Sequence, residues 1–319
     1  MLYKLVKNIK LRIWHFLFMP TNVANVLTGK KSLSLLVDEL SAKDEYFLVY
    51  QYGKSGSSTV YQYFKNLGLT TIHCHNLNDK TLKLREQIAI DATMPRKVSG
   101  QRFFSNARYR VYQAILVNNN AADIYMFISL REPIGFVRSV YFQQWSLFSV
   151  LTKRKFGELT PTRFCEYFND LLIEITEYLD LEPDQQKIET LILSQAMSIG
   201  ARCMLHFIYG YMYWFENELF EVFGLNSDDL KLEQGYWSFN KGNIRGSVIK
   251  VEDFDSALLK SVEGLLNKDI KMPIVNQNVG SNKANHAFYS YLKENSHLPE
   301  VIVNVMKNSF SYRYFYGIN

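Results

Sequence analysis

Apolar residues recur along this chain in two patterns, as short continuous runs and at helical spacing. The short runs are rich in aromatic and β-branched residues and predict buried strands, at residues 46–52, 69–75, 123–130 and 247–251. Residues 160–223 contain no such run, and their apolar positions have helical spacing, which predicts several helices. The alternation predicts an α/β fold, a three-layer α/β/α arrangement with a mostly parallel central sheet and extra helices in the middle of the chain.

A glycine-containing loop separates the first predicted strand from a helix-like stretch. Glycines let the backbone turn tightly, and the first N–H groups of a helix bind anions. Lys54 adds a positive charge and the hydroxyl residues add donors, so the pattern predicts a phosphate site. It is not a Walker loop, because Leu48 stands where that pattern needs glycine. The loop consists of Gly53, Lys54, Ser55, Gly56, Ser57, Ser58 and Thr59.

A second candidate phosphate site follows the strand at residues 123–130. Arg131 and Glu132 come directly after it, Pro133 suits the start of a helix, and Ser139 stands eight residues beyond the arginine. Arg131 leaves the carboxyl end of the strand while Ser139 lies two turns into the next helix. Both side chains can therefore converge on one phosphate, which the arginine would bind with its fork of donors.

The two motifs, in this order, resemble those of the sulfotransferases that use 3′-phosphoadenosine 5′-phosphosulfate (PAPS). There the loop binds the 5′-phosphosulfate, and the arginine and serine bind the 3′-phosphate. Residues 214–225, the Val251-Glu252-Asp253 sequence and residues 312–316 resemble bacterial capsular polysaccharide synthesis proteins. The resemblance covers residues 44–319 and implies a P-loop-like sulfotransferase fold. It also implies sulfuryl transfer from PAPS to a hydroxyl of a carbohydrate of a surface or capsular polysaccharide, with no metal required.

The resemblance also suggests roles for single residues. Lys54 is our candidate for the cation that neutralises the leaving phosphate. Polysaccharide sulfotransferases have a glutamate or histidine base near the end of the next strand, where this chain has His73 and His75. We prefer His75, which is nearer the carboxyl end of the strand, although structural histidines would give the same pattern. Glu132 is a weaker candidate, and Lys283 can either bind a phosphate or belong to a surface helix cap.

Two further groups of residues leave alternatives open. A basic stretch beside the expected cleft can meet an anionic saccharide or be a solvated surface; it contains Arg96, Lys97, Arg102, Arg108 and Arg110. An aromatic cluster can be a sugar platform or part of the core; it contains Tyr209, Tyr211, Tyr213 and Trp214.

Composition limits the class of protein. In 319 residues, 47% are hydrophobic and 15% aromatic, enough for a sizeable core. The net charge of +5 suits an anionic ligand but is too small to indicate nucleic acid. Cys74, Cys165 and Cys203 are scattered, which favours a reducing compartment and makes a zinc site improbable.

Residues 1–43 form a separate basic arm in this interpretation, followed by the sulfotransferase-like domain at residues 44–319. Residues 1–31 contain lysines and arginine but no acidic residue, and the apolar run at residues 13–19 is too short to span a bilayer. The arm either lies on an anionic membrane surface or packs on the domain. We expect a cytoplasmic protein, with peripheral contact at the inner face of the membrane if the first alternative holds.

Two other functions remain open from the sequence. The first is a kinase-like transferase that uses the same loop for ATP and magnesium, in which Arg131 and Ser139 would be idle. The second is a non-catalytic partner in polysaccharide assembly at the membrane, in which His73 and His75 would be replaceable.

Overall fold

The computed structural model of the protein describes residues 43–53, 56–90, 108–114, 116, 122–180, 184–267 and 285–317. Apart from Lys43, these residues belong to one compact unit, Asp44–Asn319. Most of the predicted basic arm lies outside the described residues, as do Lys54, Ser55 and Lys283. The roles expected for them therefore stay predictions.

The described elements alternate as the sequence predicts, with strands before residue 131 and between residues 231 and 250 and helices between and after them. The strands are β1 (Glu45–Tyr50), β2 (Thr71–Cys74), β3 (Asp123–Leu130), β4 (Lys231–Leu232), β5 (Trp237–Lys241) and β6 (Ile244–Lys250). The first helices are α1 (Ser57–Asn66), α2 (Asp79–Ile90), α3 (Pro133–Gln143), α4 (Trp145–Phe156), α5 (Pro161–Thr176), α6 (Gln185–Leu193) and α7 (Ile199–Trp214). The later ones are α8 (Phe254–Leu266), α9 (His286–Asn295), α10 (Glu300–Lys307) and α11 (Phe310–Tyr316).

Shorter helical pieces complete the description. Residues 108–114 are helical, within the helix predicted near residues 106–118. The chain continues from α7 through a π-helical segment, Phe215–Phe220, and a last turn, Glu221–Phe223. A 3₁₀ turn, Val251–Asp253, joins β6 to α8.

The described strands form one sheet of six in the order β2-β1-β3-β6-β5-β4. β1 pairs in parallel with β2 and β3, and β3 pairs in parallel with β6, which confirms the predicted mostly parallel α/β sheet. β5 is antiparallel to both β6 and β4. This antiparallel edge was not predicted, because β4 is only two residues long, both of them exposed, and has no apolar pattern to read.

Helices cover both faces of this sheet. Phe47, Val49 and Phe127 on one face pack with α1 and α8 in a single apolar cluster. Tyr50 belongs to the opposite face, since successive side chains of a strand alternate. Its ring lies 4.7 Å from that of Trp214 at the end of α7. Parallel strands buried on both sides explain the continuous apolar runs in the sequence.

A second apolar cluster joins the helices in the middle of the chain, from α3 to α7, with α9 and α10. Tyr209, Tyr211 and Trp214 are almost completely buried, so these rings belong to the core and do not form an exposed sugar platform. The three cysteines are also buried and unpaired. In the part of the chain that the structure describes, no helix is long and apolar enough to cross a membrane.

Candidate functional site

The described residues on either side of the loop between β1 and α1 include two glycines with positive φ. Gly53 and Gly56 have φ values of +99° and +79°, a region that side chains other than glycine rarely adopt. Gly56 is also the N-cap of α1, so no side chain caps the first N–H groups of this helix from that position. A Cβ at Gly56 would lie 2.5 Å from the Phe254 ring. Both conformation and space therefore require glycine there.

The hydroxyl residues of the first turn of α1 differ in exposure. Ser58 is exposed, whereas Ser57 and Thr59 are buried. The Thr59 N–H donates to the Gly56 carbonyl at 3.0 Å, a tight i to i−3 bond that begins the helix. The positive end of the helix dipole and the first N–H groups thus lie directly beyond the loop, where an anion is favoured.

The second predicted phosphate site has a different construction. Glu132 is the N-cap of α3, and its carboxylate accepts hydrogen bonds from the backbone N–H groups of Ile134, at 2.9 Å, and Gly135. Pro133 occupies the first helical turn, as predicted. The end of α3 is therefore already capped, and the Glu132 carboxylate is held in that role, which argues against Glu132 as a base.

Arg131 lies across the first turn of α3. A Cβ at Gly135 would come within 3.0 Å of the Arg131 Nε, so glycine makes room for this guanidinium. Ser139 follows Gly135 by four residues, on the same face of the helix, and is partly exposed. The structure thus puts Arg131 and Ser139 on one side of α3, while Glu132 occupies its end.

Direct contacts join the two loops. β1 and β3 are neighbouring parallel strands, about 4.8 Å apart, so their carboxyl ends meet at one edge of the sheet. The Tyr52 hydroxyl, from the first loop, accepts a hydrogen bond from the Arg131 N–H at 3.3 Å. Burial raises the pKa of Tyr52 well above its ordinary value, so the phenol stays protonated. The Tyr52 ring is fixed against Phe136 and Tyr211 at centroid distances of 5.0 and 5.1 Å.

The segment after β6 contacts both loops. One carboxylate oxygen of Glu252 accepts from the Glu132 N–H at 3.1 Å, and the other accepts from the Tyr316 hydroxyl at 2.8 Å. Phe254, two residues later, fills the space beside Gly56. The Glu-Asp sequence after the last strand was visible in the chain, but its function as a connection between the loops could not be inferred from it.

His75 is the first residue after β2, and it is held against the loop that follows β1. Its Nδ1 lies 2.8 Å from the Gln51 carbonyl oxygen, and its Cε1 lies 3.8 Å from the position of a Cβ on Gly53. A carbonyl oxygen only accepts, so Nδ1 carries the proton and Nε2 has the lone pair in the neutral ring. Trp214 Nε1 donates to the His75 carbonyl at 2.8 Å and fixes the backbone. This is the tautomer that a general base needs.

His73 lies beside His75, with ring centroids 4.9 Å apart, as expected for residues two apart on one strand face. Its Nε2 is buried and has no hydrogen-bond partner among the described residues. Burial, and then the positive charge of Arg108, lower the pKa of His73 to about 4. The ring is therefore neutral near pH 7 and a weaker base than an ordinary histidine.

This low pKa predicts acid sensitivity. An unfolded histidine binds a proton near its ordinary pKa of 6.5, whereas folded His73 does so only near 4. Between pH 6.5 and 4 the unfolded state therefore binds more protons than the folded state. As the pH falls through this range, protonation of His73 should lower the free energy of unfolding by up to about 3 kcal/mol. Urea unfolding across this range should show a smaller pH dependence for His73→Gln than for wild type. Parallel curves for the two proteins would contradict this assignment.

A buried carboxylate supports the loop that follows β2. Glu218, in the π-helical segment, is 1% exposed. It accepts from the N–H groups of Leu77 and Asn78 at 2.6 and 2.9 Å, from Asn76 Nδ2 at 3.2 Å and from the Tyr50 hydroxyl. Burial raises the pKa of Glu218, and these four donors oppose the shift. An acidic residue within the apolar run at residues 214–223 was the available signal, and sequence reasoning missed it.

Comparison with known proteins does not assign this chain to a family. No protein-family model matches the sequence, and no match was found among curated proteins or among solved structures. Within the described ranges, no group of three or more His, Cys, Asp or Glu side chains is arranged to hold a metal ion.

The structure therefore places most of the predicted site residues at one edge of the sheet. Those that it describes there are Gly56, Ser57, Ser58, Thr59, His73, His75, Arg131 and Ser139. Tyr52 and Glu252 connect the loops that carry them. The arrangement offers a helix whose N-cap residue, Gly56, has no side chain, an arginine on a second helix flank and a histidine of defined tautomer. These groups can bind two anionic groups and take a proton from a third.

Proposed function

We propose that this protein transfers the sulfuryl group of PAPS to a hydroxyl of a carbohydrate that belongs to a surface or capsular polysaccharide or its precursor. The observation that supports the proposal is that the two candidate phosphate motifs lie at the ends of neighbouring parallel strands and are joined by the Tyr52–Arg131 hydrogen bond. PAPS has phosphate groups on both sides of one ribose, and two adjacent sites suit such a donor. The fold in this proposal is the P-loop-like sulfotransferase fold.

The donor would lie across the edge of the sheet. Its 5′-phosphosulfate binds the loop before α1, where the helix N–H groups and the predicted charge of Lys54 stabilise it. Its 3′-phosphate binds on the flank of α3, between the Arg131 guanidinium and the Ser139 hydroxyl. Because Glu132 caps the N-terminus of α3, Arg131 provides the positive charge for the 3′-phosphate. The dipole of α1 provides it for the 5′-phosphosulfate.

The transfer step would be an in-line displacement at sulfur. The acceptor oxygen forms a bond to sulfur while the bond from sulfur to the phosphate oxygen breaks. The acceptor proton passes to His75 Nε2, and the electron pair of the broken bond stays on 3′-phosphoadenosine 5′-phosphate, beside Lys54. No metal ion takes part in this proposal. Catalysis here comes from positioning and from neutralising the leaving phosphate.

Nucleotide binding tests the donor directly. We expect 3′-phosphoadenosine 5′-phosphate to bind wild type more tightly than ATP does, in calorimetric titrations with and without magnesium. Arg131→Ala should weaken this binding by about 2–4 kcal/mol, because a charged contact to the 3′-phosphate is lost. Arg154→Ala is the matched control, since Arg154 is exposed on α4 and lines a groove with residues of α5.

Two results would contradict the proposal. Equal or tighter binding of ATP with magnesium, unaffected by Arg131→Ala, would favour a kinase-like transferase. Failure of both nucleotides to bind would favour a non-catalytic partner in polysaccharide assembly. A cytoplasmic location, with contact to the membrane through the basic arm, belongs to the same proposal and has its own test, vesicle sedimentation with and without residues 1–43.

A further inference from the structure

A groove lies between α4 and α5, within the cluster of helices from the middle of the chain. Its volume is about 520 Å³, and its lining includes the buried side chains of Leu151, Tyr167 and Leu171. Lys155 on α4 and Asp170 on α5 form an ion pair of 2.8 Å between the two helices. The helices are therefore the two sides of one groove, and none of these residues belongs to the candidate site.

Each side of the groove exposes one large apolar side chain. Val150 on α4 is 38% exposed, and Ile173 on α5 is 55% exposed. Val150 lies one turn before Arg154, which lines the groove, so both project from the same side of α4. Ile173 lines the groove and lies one turn before Glu177, which also lines it. Apolar surface that clusters around one groove, unlike single scattered residues, marks an interaction site.

The charges of the groove are divided by sign between the two helices. The charged lining residues are Arg154 and Lys155 on α4 and Asp170, Glu174 and Glu177 on α5. Lys155 and Asp170 pair with each other, and Glu174 accepts a hydrogen bond from the Ser198 hydroxyl at 2.7 Å. The side chains of Arg154 and Glu177 are exposed and have no hydrogen bond or ion pair with any residue that the structure describes. One side of the groove thus presents a cation, and the other presents a carboxylate.

We propose that the groove is the interface of a two-fold symmetric homodimer, in which α4 of one copy packs against α5 of the other. A two-fold axis brings the same patch of both copies face to face, so every contact occurs twice. With the axis along the middle of the groove, Arg154 of one copy meets Glu177 of the second copy, and Val150 meets Ile173. A patch with opposite charges on its two sides is complementary to itself under this rotation, which is why a second copy fits it.

The size of the two helices sets the strength of this association. α5 has 16 residues and is therefore about 24 Å long, and two packed helices are about 20 Å across. Such a face has an area of about 500 Å² on each copy, or about 1,000 Å² in total, at the lower end of specific interfaces. We therefore expect a dimer that forms in the micromolar range and exchanges with the monomer.

Sedimentation velocity of the full chain measures this exchange. Wild type should change from monomer to dimer between about 1 and 200 µM, the range expected for a small interface. Arg154→Glu and Glu177→Lys should each weaken dimerisation at least about tenfold, because either substitution places two pairs of like charges across the axis. Lys260→Glu should have no effect and is the matched control, since Lys260 is exposed on α8, which belongs to the other apolar cluster.

Mixing the two charge-reversed variants tests the symmetry of the contact. In a mixed dimer both contacts again join opposite charges, because the two reversals are on different copies. An equimolar mixture should therefore regain the affinity of wild type, although neither variant dimerises well alone, and this recovery also shows that both variants are folded. The inference is overturned if wild type stays monomeric over the whole range, which would leave the groove to a different protein. It is also overturned if the single variants dimerise like wild type, or if their mixture does not associate.

Discussion

If the protein transfers sulfuryl groups as we propose, replacing His75 with asparagine is expected to lower the rate of this transfer by about 10²–10⁴-fold, the usual contribution of a general base. The asparagine Nδ2 can donate to the Gln51 carbonyl as His75 Nδ1 does at 2.8 Å, so the loop keeps its support. The variant lacks only the lone pair of Nε2. Nucleotide affinity should therefore stay within about twofold of wild type, because positioning of the donor does not depend on that lone pair.

The measurement is turnover of PAPS with a carbohydrate acceptor, monitored by the release of 3′-phosphoadenosine 5′-phosphate. His75→Ala provides a second readout, since added imidazole should restore part of its activity if the missing group is a base. His297→Ala is the control, because His297 is exposed on the surface before α10. Full activity of His75→Asn would eliminate His75 as the base, and His73 would then be the remaining candidate.

Replacing Glu218 with alanine is expected to destabilise the protein by about 3–5 kcal/mol, because it removes the one acceptor that several buried neutral donors share. The substitution leaves two backbone N–H groups, the Asn76 amide and the Tyr50 hydroxyl without their acceptor, in a place that water does not reach. Each unsatisfied donor costs about 1–3 kcal/mol before the structure relaxes. Urea unfolding at pH 7 measures the loss.

Glu221→Ala is the matched control, because Glu221 is exposed three residues further along the same helical stretch. Its effect should be below about 0.5 kcal/mol, as for most surface substitutions. Glu218→Gln should have an intermediate effect, since an amide oxygen can accept from Leu77 and Asn78 but its nitrogen then faces the donor of Asn76. A loss below about 1 kcal/mol for Glu218→Ala would show that the loop has another acceptor.

The parts of the fold that were predicted correctly are those determined by local sequence. β1 and β3 are continuous apolar runs, and Pro133 identifies the start of α3 within a few residues. The turn between β1 and α1 was predicted from glycines, and Gly53 and Gly56 both have positive φ. Local chemistry of this kind identifies where anions can bind before any tertiary contact is known.

The rest depends on residues that are distant in the chain. Glu218 accepts from Tyr50 across 168 positions, and Glu252 accepts from Glu132 across 120. Nothing in a single sequence pairs such residues, so the connections that position His75 and Arg131 could not be predicted. The electrostatic effect of Arg108 on His73 also links residues that are distant in the chain, and the sequence alone left that basic stretch as either a binding surface or a solvated one.

The bond from Tyr316 to Glu252 has a consequence for biosynthesis. Tyr316 is 64 positions later in the chain than the carboxylate that it holds. The ribosome can therefore have synthesised all six strands of the described sheet, and both loops, before the partner of Glu252 has been made. The ribosome has to synthesise α11 before the hydrogen bonds of Glu252 are complete, so the last part of the sheet edge to form is fixed by the order of translation.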